Sequence, residues 1–571
     1  MKDKKVLKID FSEKRLGEIA DKYYNEGDFL SAIRFAYKQM ELYGGNGEIF
    51  ARLSDICEGM GLHGSAINWW FRYLDIATEE ELPDVYEGLA VNFLNTGNEG
   101  QSAYYYNKLI DADDMLPDET KLDIATAFSQ DKRDKFRFVY PPKLADYSKE
   151  MNLGARALKA GDCKRAIQEF SVVEEGSKEY VNAKEMQAVA YLLSGDIQQA
   201  ETLCETLLEE YPNDIRLQAT LAAAYMEGEK FDKSRAIAER LAKCETADTE
   251  ELYKIATVCC ENGLHEEAYE RFCILDEKTP YDGRILYFKG VSAYKSGKIR
   301  EAETALHKLC TVYPDAEVAK YYLRAIRLYQ EGAGEKPELI YFYHLPQEER
   351  EQRCKSLLQI SKCPKDEAQV FGLIALHDGY FRWCFDEMDG NDHDLQYLAL
   401  VTAEHVRADD FLREVLLDSD VADVLKVETL RMLLLRNEDA DFGIVLCNIY
   451  KRAFLHRIKI GRKRRKRFLE GYAKVASKFL ILNDGNGRRM QRAAEELYAA
   501  LEKYNSLDLI DSSDDCACAI YWEAGLKEMG RDLSTVALAF DANEAKVRVL
   551  LSALEYQRLG LDNKEKQEVT E

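Results

Sequence analysis

Six consecutive cations, Arg462-Lys463-Arg464-Arg465-Lys466-Arg467, are the densest patch of chemistry in the chain. From Lys451 up to Glu495, fifteen basic residues face only Glu470 and Asp484. The whole chain carries 78 Lys+Arg against 103 Asp+Glu, a net charge of −25, so the segment reverses the local sign. A phosphate backbone would be drawn to Arg462–Arg467, with a steep salt dependence. Two other readings fit the same residues. Phe468, Tyr472, Val475, Ala476 and Phe479 recur at helical spacing, so the cations can be the solvated flank of a buried helix. They can also dock on an acidic surface, the protein's own included.

The remaining reactive residue types form no recognisable set. Cys516-Ala-Cys518 and Cys259-Cys260 lack the second half of a zinc site. Asp386 to Asp394, with His393 inside, is acid-rich but misses the calcium-loop spacing. Asp484-Gly-Asn-Gly487 is too short to cradle a phosphate and reads as a turn. The sequence assigns no catalytic residue, no cofactor-binding residue and no metal ligand. The expectation is a non-enzyme with no cofactor and no small-molecule substrate.

The elements that carry these residues are repeats. Ala166, Ala200, Ser234, Ala268 and Ala302 are each 34 residues apart. Twelve residues before them stand Gly154, Ala188, Ala222, Ala256 and Gly290, and four after them Phe170, Cys204, Ala238, Phe272 and Leu306. Small side chains at fixed intervals let paired helices approach closely. Pro212, Pro280 and Pro314 close three of the units, where a helix must stop. The first hundred residues carry the pattern more loosely: Gly27 and Ala32, Gly61 and Ala66, Gly97 and Ser102. A period of this length denotes a helical solenoid.

The array resembles the tetratricopeptide-repeat (TPR) family. About eight units fit, over residues 13–314. The resemblance implies an all-α superhelical solenoid in two blocks, with a concave groove lined by the first helix of each pair. Carried onto this sequence, the groove of the second block would present Val189, Leu192, Ala223, Met226, Tyr253, Thr257, Tyr287, Val291 and Tyr294, an apolar and aromatic surface. The first block would present a polar, acidic set that includes Asp21, Tyr24, Asp55, Glu58 and Glu87. An apolar groove suits an amphipathic helix or an extended apolar segment of a partner protein. It can equally be filled by the chain itself.

The expected organisation is a first TPR block over 1–129, a connector over 130–146, and a second block with a closing helix over 147–332. An irregular helical region over 333–440 and a basic, helical region over 441–571 follow. Within the last, β-branched residues from Gly443 to Tyr450 and the alternation at His456–Ile460 allow a small hairpin. Ser534 to Leu550 spaces its apolar residues like a helix-turn-helix, and with Ala517 to Trp522 in front of it the stretch of about 515–552 resembles a cyclin-fold repeat of the transcription factor IIB type. The helix-turn-helix reading would aim Lys546 and Arg548 at DNA, although Asp541 stands where a turn glycine is usual. No apolar run is long enough for a membrane span and the first residues, Met1-Lys-Asp-Lys-Lys5, are charged, so a cytoplasmic location is expected. The primary reading is a protein-binding scaffold. The alternative is a nucleic-acid-associated regulator acting through 451–493 and the helix-turn-helix-like pair.

Overall fold

A computed structural model describes residues 11–113, 115–128, 147–377, 379–386, 392–483, 485–530 and 532–560. The expected connector over 130–146 and most of the acid-rich 386–394 stretch lie outside the described residues. The fold is all-α. Among the described residues, one two-stranded sheet accompanies the helices. The chain divides into two compact units: Ser129–Leu345, and Met1–Phe128 together with Pro346–Glu571.

The unit Ser129–Leu345 is a run of helix pairs. They are Ser148–Lys159 with Cys163–Ser171, Tyr180–Leu193 with Ile197–Glu210, and Ile215–Glu227 with Phe231–Leu241. Thr249–Glu261 with His265–Lys278, Gly283–Lys295 with Ile299–Val312, and the closing helix Glu317–Gln330 complete it. The 34-residue spacing explains the packing. Ala188, Ala222 and Ala256 are fully buried where helices cross, and a Cβ on Gly154 would lie 2.5 Å from the Phe170 ring. Each pair is joined by a tight turn whose left-handed residue is Gly161, Gly195, Gly263 or Gly297, as helix ends of this kind require. In the third pair Glu229 takes that conformation instead, with φ of 57°. Where Ser234 replaces alanine, its hydroxyl donates to the Ala222 carbonyl at 2.9 Å, so the buried polar group is satisfied.

The other unit starts with three similar pairs: Glu13–Asn25 with Phe29–Tyr43, Gly47–Gly59 with His63–Ile76, and Leu82–Asn95 with Glu99–Ala112. Their core does not close on itself. Trp70, Phe71, Phe93 and Tyr105 share a cluster with Leu417 and with Val445 of the hairpin. The hairpin consists of β1 (Ala440–Leu446) and β2 (Ile449–Leu455), antiparallel, with Leu446 opposite Ile449. Cys447 and Asn448 form its turn at φ of 50° and 61°, a two-residue connection that matches strand twist. Tyr105 Oη donates to the Asn448 carbonyl at 3.1 Å, and Tyr450 Oη donates to Asp75 at 2.9 Å. Asn68 accepts from the Ser419 amide and hydroxyl, each at 2.8 Å. The C-terminal helices Arg465–Phe479, Asn486–Lys503, Ser513–Glu523, Leu533–Phe540 and Glu544–Leu559 pack around the rings of Phe479, Tyr521 and Phe540.

Candidate protein-binding groove and basic segment

Within the unit 129–345, the first helices of successive pairs lie side by side. Their facing residues grade from open to covered. Val189, Leu192, Ala223 and Met226 are half-buried, as are Tyr253 and Thr257, whereas Tyr287, Val291 and Tyr294 are buried. The cover on Tyr287 is the chain itself. After the closing helix, residues 337–345 run without regular structure, as a strap against the repeat helices. Tyr287 Oη donates to the carbonyls of Ile340 at 2.9 Å and Phe342 at 3.2 Å. Tyr322 Oη donates to the His344 carbonyl at 2.9 Å. Tyr343 meets Tyr287 edge to face at 4.7 Å between ring centres. Tyr341 lies against the Phe288 ring and shares a 2.9 Å hydrogen bond with His265 Nδ1. Burial beside these groups pushes the Cys260 thiol and the Tyr341 phenol well above their ordinary values.

Beneath the half-open part sits a charge pair that sequence reasoning passed over. Glu185 occupies the groove-facing position in Tyr180–Leu193 and is almost fully buried. One carboxylate oxygen accepts from Lys254 Nζ at 2.5 Å and from Thr220 Oγ1 at 2.9 Å, while Oε2 has no partner. The contact spans three successive first helices. It fits because the middle one carries Ala219 at the corresponding place.

In the other unit the predicted acidic set is partly engaged. Glu58 accepts from Asn92 Nδ2 at 2.5 Å and from Trp70 Nε1 at 3.3 Å. Surrounding protein and the nearby Glu58 push the Asp55 carboxyl up to about 6. A raised folded-state value means that Asp55 contributes stability below about pH 3.8, and that this is lost as pH rises through about 6. Asp55→Asn is therefore expected to raise the urea midpoint of this unit at pH 7.5, followed by tryptophan fluorescence, with the gain vanishing by about pH 4. All four tryptophans (Trp69, Trp70, Trp383 and Trp522) lie in this unit, so the signal is specific to it.

The basic run is largely paired inside its own unit. Phe468, Tyr472, Val475, Ala476 and Phe479 are buried. Lys463 and Arg464 face Asp508 at 2.9 and 3.9 Å. Arg467 donates to the Asp511 carbonyl, Arg465 donates to the Ile460 carbonyl at 3.2 Å, and Lys474 pairs with Asp514 at 2.6 Å. Arg462 and Lys466 are exposed and make no ion pair among the described residues. In the helix-turn-helix-like pair, Lys546 binds Asp511 at 2.6 Å and Arg548 binds Glu544 at 2.6 Å. Ala537, Phe540, Val547 and Leu550 are buried there, Ala542 is half-buried, and Asp541 takes the left-handed turn conformation. Among the described residues no group of His, Cys, Asp and Glu could hold a metal ion. Among the described residues, no helix is long and apolar enough to cross a membrane.

Paired helices at a fixed period, with small residues at each crossing, define a helical-repeat solenoid. The chain carries tetratricopeptide repeats, matched over residues 157–259. The family profile described as "Tetratricopeptide repeat" matches residues 157–224 and 191–259. The TPR repeat-containing protein YpiA of Bacillus subtilis (strain 168) is 25% identical over 274 residues, which are 46% of this chain and 61% of that protein. Among solved structures, a tetratricopeptide repeat protein from Parabacteroides merdae is 14% identical, with 56% of this chain and 99% of that chain covered at a TM-score of 0.26. The TPR domain of P58(IPK) is 12% identical, with 70% and 99% covered at a TM-score of 0.21.

Proposed function

We infer that the chain is a non-enzymatic scaffold whose second-block groove holds an extended apolar and aromatic segment of a partner protein. The strap carries this reading. Residues 339–345 support it: they lie there as an irregular segment with alternate rings seated between helices and carbonyls held by tyrosine hydroxyls. Backbone contacts of this sort supply affinity, and ring pockets supply selectivity. Val189, Leu192, Ala223 and Met226 continue the face beyond the strap and are only half-buried. They are the proposed contact residues, with Tyr253 and Thr257 at the border.

A labelled peptide of the strap's own sequence, Pro337 to Leu345, is the probe. It is expected to bind the full chain, and Met226→Asp to weaken binding about tenfold, the effect of about 1.4 kcal/mol. An absence of binding, or equal binding by the variant, would remove the groove from consideration.

A further inference from the structure

Besides Arg462 and Lys466, the C-terminal region keeps a second group of cations outside the densest run. Arg457 and Lys459 follow β2, and Arg488, Arg489 and Arg492 lie in the first turns of the helix Asn486–Lys503. All five are exposed, and their side chains make no ion pair among the described residues. The two groups are neighbours. Gln491 Nε2 donates to the Arg457 carbonyl at 3.0 Å, and Glu495 accepts from the Lys459 amide at 2.7 Å. A Cβ on Gly487 would lie 3.5 Å from the His456 ring and 3.6 Å from the Phe454 carbonyl. Arg488 and Arg492, four residues apart on one helix face and each next to a residue that meets the strand's continuation (Gly487 and Gln491), thus border it.

Three carboxylates lie close by and are engaged. Asp439 accepts from the Arg457 amide, Glu495 from the Lys459 amide, and Glu528 from Asn486 Nδ2. The helix beginning at Asn486 has no acidic residue in its first turn and no side-chain cap. Its positive end therefore adds to Arg488 and Arg489, an arrangement that helices ordinarily avoid because the dipole repels cations there. A bound phosphate relieves that repulsion. Beside the cations, the Phe454 ring is 55% exposed on β2.

We propose that Phe454, Arg457, Lys459, Arg488, Arg489 and Arg492 form a binding surface for single-stranded nucleic acid. The cations track phosphates and the exposed ring stacks on a base, the combination used by strand-binding proteins of low sequence selectivity. A duplex hides its base faces from Phe454. An acidic polypeptide would use the cations and leave the ring idle.

The test is fluorescence anisotropy of the full chain with labelled oligo-U and oligo-dT of about 12 nucleotides. Salt is varied between about 50 and 200 mM. About four phosphate contacts predict a slope of about −2.8 in log K against log salt, a loss of about 50-fold across that range. The triple variant R457S/R488S/R492S, which leaves Lys459 and Arg489, is expected to flatten the slope to about −1.4. Phe454→Ala is expected to weaken binding about tenfold without changing the slope. K463S/R464S, which alters cations already facing Asp508, is expected to bind like the unaltered chain. Lack of binding at the lower salt would overturn the proposal. So would equal binding of polyglutamate or duplex DNA with Phe454→Ala silent, or a loss in K463S/R464S as large as in the triple variant.

Discussion

Lys254→Met is expected to destabilise the unit 129–345 by about 3–5 kcal/mol, the usual result of stranding a buried charge by removing its partner. Glu185 is nearly inaccessible, its second oxygen already lacks a donor, and Lys254 is the cation within reach. Thr220 alone cannot stabilise an ionised carboxylate in that setting, because a neutral hydroxyl supplies one hydrogen bond and no charge. The double variant E185Q/K254M is expected to recover most of the loss, since removing both charges removes the desolvation cost with them. Far-UV circular dichroism under urea gives the size of the effect. Hydrogen exchange of Tyr180–Leu193 places it. A loss below about 1 kcal/mol would mean that water reaches Glu185 and that the pair behaves as a surface salt bridge.

The same pair shows where the sequence stops being readable. A 34-residue period reports positions that repeat, and Glu185 and Lys254 do not. Ala219 and Tyr253 hold the place of Glu185 in the next two units, so no template announces a carboxylate there. The crossings were legible because close approach admits only small residues, which is why Gly154, Ala188, Ala222, Ala256 and Gly290 mark them. The hairpin was legible from its β-branched run, but its turn falls at Cys447–Asn448 and the expected second strand, His456–Ile460, lies beyond β2; its packing partner was not legible. Contacts such as Tyr105 to Asn448 join residues more than three hundred positions apart, and local spacing carries no information about them. The basic run shows the same limit. Charge density along the chain singles out Arg462–Arg467, yet the fold brings Asp508 and Asp511 against that run and leaves Arg457, Lys459 and Arg488 without such partners. The strap is the clearest case. Leu339 to Leu345 has no helical period, and only the structure reveals that its rings occupy the face predicted for a partner.

Tyr287 tests what holds that strap. Its hydroxyl serves two carbonyls and its ring is fully buried against Tyr343, so two substitutions separate the contributions. Tyr287→Phe keeps the ring and removes the donor, leaving the Ile340 and Phe342 carbonyls to find water. A lost buried hydrogen bond costs about 1–3 kcal/mol, which corresponds to opening the strap at least about fivefold more often. Chymotrypsin cleavage after Tyr341, Phe342 or Tyr343 should accelerate by that factor, with the repeat helices intact by circular dichroism. Tyr287→Ala also leaves a cavity and is expected to cost about 3–5 kcal/mol, enough to threaten the unit itself. If the strap is a stand-in for a partner segment, the phenylalanine variant should also bind more of the strap peptide than the unaltered chain, because the seat is vacated more often. Faster cleavage without extra peptide binding would mark the strap as a structural closure of the solenoid and confine partner binding to the Val189–Met226 face.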